Sequence, residues 1–136
     1  MKTTHKAFPF KHLIVMDASG TLDLAASQAA LAKLAADPCF DSHTEVLLDM
    51  RDVECVMSTT DVYRLAEILA RPHPALPTTR RIAILVAGQS EFDHAMFLET
   101  CAKNRGMRLS AFDDYDKAST WLAADLPVDP KGAIVA

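Results

Sequence analysis

The sequence predicts an α/β fold built on a mostly parallel sheet, and three observations carry that expectation. Four strand-like runs alternate with four helix-like runs along the 136 residues. The third strand-like run, Arg81 to Ala87, is apolar without period-two alternation, as a strand buried on both faces is. Strands joined through helices run parallel, because a helical crossover returns the chain to the end of the sheet where it started.

The elements follow in order. His12 to Asp17 reads as the first strand, with a partner strand near Ala7 to Phe10. Pro9 lacks an N–H and so confines that partner to an edge. Thr21 can cap a helix from Leu22 to Ala36, rich in alanine and leucine, which stops before Asp37 and Pro38. Glu45 to Asp49 is the second strand. Ser58 opens the second helix, where Val62, Leu65, Ala66 and Leu69 fall at i, i+3, i+4 and i+7 and form one apolar stripe. Arg71 to Arg80 holds three prolines in ten residues and reads as an ordered surface loop or a stiff arm.

After the third strand, Ser90 is the start signal of a helix marked by Ala95, Leu98 and Ala102, and Gly106 can end it. Met107 to Phe112 is the fourth strand. Asp113 or Asp114 caps the last helix, in which Tyr115, Ala118, Ser119 and Leu122 repeat the apolar spacing. Trp121, the single tryptophan, is expected to lie over the sheet's apolar surface and close that helix onto the core. One domain is expected over residues 1–136, with its core at about 8–124 and a loose tail at 125–136.

Composition excludes several classes of function. There are 14 Lys and Arg against 18 Asp and Glu, and no basic run longer than Arg80-Arg81, so the electrostatic footprint of a nucleic-acid binder is missing. Cys39, Cys55 and Cys101 lie far apart and form no Cys-x-x-Cys pair, which fits reduced thiols better than a disulfide framework. No run approaches the ~20 apolar residues of a membrane span, and the first residues lack the apolar stretch of a secretory signal. A cytoplasmic protein that does not span a membrane is expected. The histidines His5, His12, His43, His73 and His94 show no metal-ligand spacing, so no metal is expected, and no P-loop or dinucleotide fingerprint points to a cofactor.

Several stretches resemble a known family. They are Gly20-Thr21-Leu22 leading into an alanine-rich helix, Asp37 to Phe40, Val46 to Val53, Arg81 to Val86, and the closing run Phe112 to Leu122. The closing run is the most specific piece, an aromatic strand end, an acidic turn, and then Ala118 followed by Trp121-Leu122. Over roughly residues 8–124 the chain resembles the SpoIIAA-like family, akin to the STAS domains of anti-sigma-factor antagonists and to Sec14-type domains. The resemblance implies a right-handed β-α superhelix, with a mostly parallel sheet of four to five strands and about four helices. It also implies a regulatory binding module, with a protein partner or a small hydrophobic or anionic ligand, and it is compatible with a homodimer.

In STAS regulators the loop after the second core strand carries a serine that a kinase phosphorylates, and Ser58 or Thr59 falls at the equivalent place here. Met57 stands where that motif has an acid, and Thr60 where it has glycine. Ser58 followed three residues later by Asp61 also has the spacing of a helix cap. Asp17 to Leu22 matches the nucleophile loop of haloacid-dehalogenase-type phosphatases, so a small Mg²⁺-dependent phosphatase using Asp17 is the competing reading. The second strand, however, ends in Asp49-Met50-Arg51 and not in the Ser or Thr such an enzyme needs.

In a parallel sheet, ligands gather at the carboxyl ends of the strands. Those ends nominate Ser19, Arg51, Ser58, Gln89 and Ser90 as ligand contacts, with Arg51 the one positive charge. Met57, Phe92 and Met96 near the same edge are the candidates to line an apolar pocket.

Overall fold

The computed structural model of the chain describes residues 1–41, 43–70, 80–122 and 126–131. Strand β1 (Lys2–Phe8) and a 3-10 turn (Pro9–Lys11) lead into β2 (Leu13–Leu22) and helix α1 (Leu24–Ala35). Then come β3 (Glu45–Cys55), α2 (Thr59–Ala70), β4 (Arg81–Leu85), α3 (Gln89–Lys103), β5 (Arg108–Phe112) and α4 (Tyr115–Trp121). The expected alternation holds. The strands form one sheet in the order β1-β2-β3-β4-β5, with β1 antiparallel to β2 and every other neighbour parallel. A five-stranded, mostly parallel sheet with four helices is the architecture that the family resemblance implies.

Because strand order follows chain order, successive crossovers of one hand place their helices on one face. Ile14, Met16, Val46, Ile82, Ile84 and Leu109 pack on that upper face with α1, α2 and α3. Their sequence neighbours Leu13, Leu47, Ala83 and Leu85 turn to the lower face, where Ala118 and Leu122 from α4 cover them. That is why Arg81 to Ala87 shows no alternation: both faces of β4 are buried.

Several boundaries differ from the sequence expectation, each for an identifiable reason. The edge strand is Lys2–Phe8 and not Ala7 to Phe10, because Pro9 opens the turn and His12, at φ 51, reverses the chain into β2. Strands β2 and β3 run well beyond Asp17 and Asp49, to Leu22 and Cys55. The cap of α1 is Asp23, whose carboxylate accepts from the Ala26 N–H at 2.7 Å, while the expected Thr21 still belongs to β2. Ser90 lies inside α3, whose N-cap is Gly88 at φ 94. Asp114 caps α4 through the Lys117 N–H, as expected. Gly106, at φ 79, ends α3 as expected: its N–H bonds Lys103 O while Met107 N–H bonds Ala102 O, the paired bonds of a Schellman turn.

A register shift between Asp17 and Ser19 gives β3 one residue more than β2 at this point, since Asp17 faces Asp49 but Ser19 faces Asp52. A bulge of this kind re-aims side chains. Before it, Met50 joins the upper core; after it, Val53 and Cys55 face upward too, so the alternation has slipped by one. Asp49 and Arg51, on either side of Met50 in sequence, pair on the opposite face.

Within the tail expected to be loose from Asp125 onward, Leu126, Pro127, Asp129 and Lys131 make contacts with the domain, while Val128 is exposed. Leu126 rests on the lower core, and the Tyr115 hydroxyl donates to Pro127 O at 2.6 Å. Trp121 is half-buried and not enclosed, its ring tilted against Phe112 at 5.6 Å between centroids. Leu122 and Ala118 are what seal the lower core, at 4% and 0% exposure. The proline-rich stretch Arg71 to Thr79, with His73, lies outside the described residues. No helix among the described residues is long and apolar enough to cross a membrane.

Candidate ligand-binding site

A cavity of about 110 Å³ lies between the upper face of the sheet and helices α1, α2 and α3. The sheet supplies Met16 and Leu22 from β2, with Met50, Val53 and Cys55 from β3. The helices supply Ala30 and Leu34 from α1, Leu65 from α2, and Ala95 and Leu98 from α3. Its wall is almost wholly apolar. The exceptions sit near the carboxyl ends of the strands: Ser27, Cys55, Glu91 and His94. Ser27 is spoken for, since its hydroxyl donates to Asp23 O at 3.0 Å. Burial is the main influence that pushes the Cys55 thiol above its usual range, the Met57 N–H opposes it, and the nearby Glu91 charge pushes the same way as burial. That thiol is disposed to stay protonated and inert.

The bulge on β3 positions this site. By slipping the alternation it directs Val53 and Cys55 into the cavity, where a regular strand would have sent them to the lower face. Met57 lines the cavity as expected from the sequence. Phe92 packs against the core without lining the cavity, and Met96 is exposed on the outer side of α3. Glu91, His94 and Cys55 were not nominated as ligand contacts, because nothing in their spacing marks a shared wall. The presence of glutamate in the first turn of a helix already has a sufficient local reason in the helix dipole.

The five residues nominated from the strand ends are placed as follows. Ser19 is exposed on β2, opposite Asp52 and Lys2. Gln89 is exposed and donates to Asp93 Oδ1 at 2.8 Å, one helical turn on. Ser90 is exposed, and its carbonyl receives His94 Nδ1 at 2.8 Å. Ser58 accepts from the Asp61 N–H at 3.1 Å and so caps α2. Among the described residues, no hydrogen bond joins any two of these five. Ser58→Ala is expected to cost about 0.5–2 kcal/mol in urea unfolding, and Ser58→Asp to be close to neutral, since aspartate caps equally well.

Arg51, the expected anion contact, is engaged within the chain. It bonds Asp49 at 2.8 and 3.0 Å and Asp129 at 2.7 and 2.9 Å. Burial favours the neutral form of Asp49, but the Arg51 bonds outweigh it and hold the carboxyl below its usual range. Lys131 completes the cluster at 2.8 Å from Asp17, 3.0 Å from Asp52 and 3.6 Å from Asp49. Burial weakens the Lys131 ammonium, and the surrounding carboxylates more than restore it. Asp17, proposed as a strand-end nucleophile, thus stands inside β2 with its carboxylate on Lys131.

Fold and site together define an α/β module with a small apolar cavity under three crossover helices. No protein-family model matches the chain, and no curated protein matches it. Among solved structures, it is similar to an uncharacterised protein of the DUF3478 family, with a SpoIIAA-like fold, from Shewanella loihica. The two share 16% identity over 81% of this chain and 83% of that one, with a TM-score of 0.48.

Proposed function

We propose that this chain is a non-enzymatic binding module that holds a small hydrophobic molecule in the cavity beneath α1, α2 and α3. One observation carries the reading: a cavity of about 110 Å³ with an almost purely apolar wall, set within the main hydrophobic cluster of the domain. Apolar cavities near this size stay dry and take up apolar guests; one of about 150 Å³ accepts benzene. A single ring or a short alkyl chain is the matching occupant. Four of the chain's six methionines, Met1, Met16, Met50 and Met57, line the cavity. Their unbranched side chains can adjust to a guest where leucine or isoleucine could not.

Binding without chemistry is the reading best supported by the groups at the wall. Cys55 is held in its protonated form, and the Ser27 hydroxyl is turned back onto the helix backbone. Neither is set up as a nucleophile.

The experiment is a cavity-filling substitution. Ala95 lines the cavity from α3 at 6% exposure, and Ala95→Leu extends a larger side chain into the space. The variant is expected to be more stable by about 0.5–2 kcal/mol, as filled cavities commonly are. It should also lose binding of benzyl alcohol, followed by calorimetry or ligand-observed NMR. A variant that is destabilised, or one that binds the probe unchanged, would count against a guest in this space.

A further inference from the structure

We propose that the guest of this cavity is a hydrophobic amine, whose protonated nitrogen is held by Glu91 and His94; the inference rests on the ligand-binding reading above. Among the described residues, the cavity wall contains one carboxylate and no lysine or arginine. Neither a hydrogen bond nor an ion pair engages Glu91 within the described residues. Glu91 and Cys55 line the same cavity wall.

His94 follows Glu91 by three positions on α3, so the two stand on the same side of the helix. Its Nδ1 faces the Ser90 carbonyl at 2.8 Å. A carbonyl only accepts, so Nδ1 carries a hydrogen, and in the neutral ring Nε2 is left as an acceptor. No partner of Nε2 is present among the described residues. One turn of α3 therefore offers two acceptors, a carboxylate and an imidazole nitrogen, at the edge of an apolar space. An ammonium group, with three N–H donors and a positive charge, is complementary to both.

An anionic head is disfavoured at the same place. The first turn of α3 is a positive helix end, but Glu91 already lies against it: a Cβ built on Gly88 would come within 3.2 Å of Glu91 Oε2. A carboxylate or phosphate guest would meet like charge there. A neutral hydroxyl could donate a single hydrogen bond without the ionic gain, which ranks the three heads amine, alcohol, acid.

The test uses benzylamine, benzyl alcohol and benzoate at neutral pH, compared by calorimetric titration on the whole chain and on Glu91→Gln. Benzylamine is expected to bind about tenfold more tightly than benzyl alcohol, the lower end of what one charge-assisted hydrogen bond contributes. Benzoate should bind least. In Glu91→Gln the preference for the amine over the alcohol should vanish, and a circular dichroism spectrum and unfolding midpoint like those of the natural chain show that the variant is folded. Equal binding of all three probes to the natural chain would overturn the amine assignment and leave the cavity reading standing. An amine preference that survives in Glu91→Gln would likewise overturn it. If no probe binds at all, the cavity reading itself fails and the amine assignment falls with it.

Discussion

Replacing Arg51 by alanine is expected to cost about 3–5 kcal/mol, the range found when one partner of a buried ion pair is removed. Asp49 is only 3% exposed, on a central strand, and the Arg51 guanidinium donates two hydrogen bonds to it that alanine removes, leaving the residue 51 N–H in place. Lys131, at 3.6 Å, is too far to replace them. The loss also removes one of the tail's anchors to the sheet, the pair of bonds from Arg51 to Asp129.

The pH dependence separates this explanation from simple loss of packing. In the natural chain the Asp49 carboxyl is held below its usual range, so the folded state binds fewer protons than the unfolded state. Its contribution is then complete above about pH 4, the unfolded value, and is lost as the pH falls through the lower folded value. Without the guanidinium, only the residue 51 N–H and Lys131 oppose burial at Asp49, so the depression of its carboxyl shrinks. The folded variant then holds protons that the natural folded chain has released, and its stability depends less on pH. The gap between the two proteins should therefore narrow in urea unfolding as the pH falls below about 4. A gap that is constant with pH would assign the loss to packing instead.

This cluster also shows what the sequence could and could not reveal. Local signals were enough wherever the cause is local: the apolar stripe of α2, the Ser58 cap, the unalternating run of β4 and the Gly106 helix end all stand as expected. Asp17 and Asp49 were taken for strand ends because polar residues interrupt their apolar runs. They are interior residues of long strands, and the tail returns Asp129 and Lys131 to them from some eighty and more positions away. Long-range compensation of this kind leaves no trace in a local window. The one-residue slip on β3 is equally silent, yet it decides which side chains line the cavity. Of the apolar candidates, Met57 was found because it follows a strand directly. Phe92 and Met96 failed because nearness to the strand ends does not say which way a helix residue faces.

Glu99→Leu is expected to cost about 3 kcal/mol and to promote self-association. Glu99 is buried on α3 at 8% exposure, and its Oε1 accepts from the Ser110 hydroxyl at 2.7 Å and from the Ala111 N–H at 2.8 Å. Both donors belong to β5, the last strand of the sheet, so the carboxylate satisfies an edge N–H that no further strand pairs. Burial opposes its charge, but those bonds and Lys103 at 3.3 Å hold the carboxyl below its usual range. Each hydrogen bond to a charged group contributes about 1.5–3 kcal/mol, and leucine can replace neither. Leucine keeps the bulk, so the loss reads the hydrogen bonds and not a cavity. The second consequence comes from position. An edge strand with an open N–H is a template for pairing with another chain, and a buried side chain that occupies it protects against that. Glu99→Gln retains an acceptor, so it should lose less stability and stay as dispersed as the natural chain in sedimentation velocity. If Glu99→Leu proves as stable as Glu99→Gln, the edge N–H has another partner and the carboxylate is dispensable.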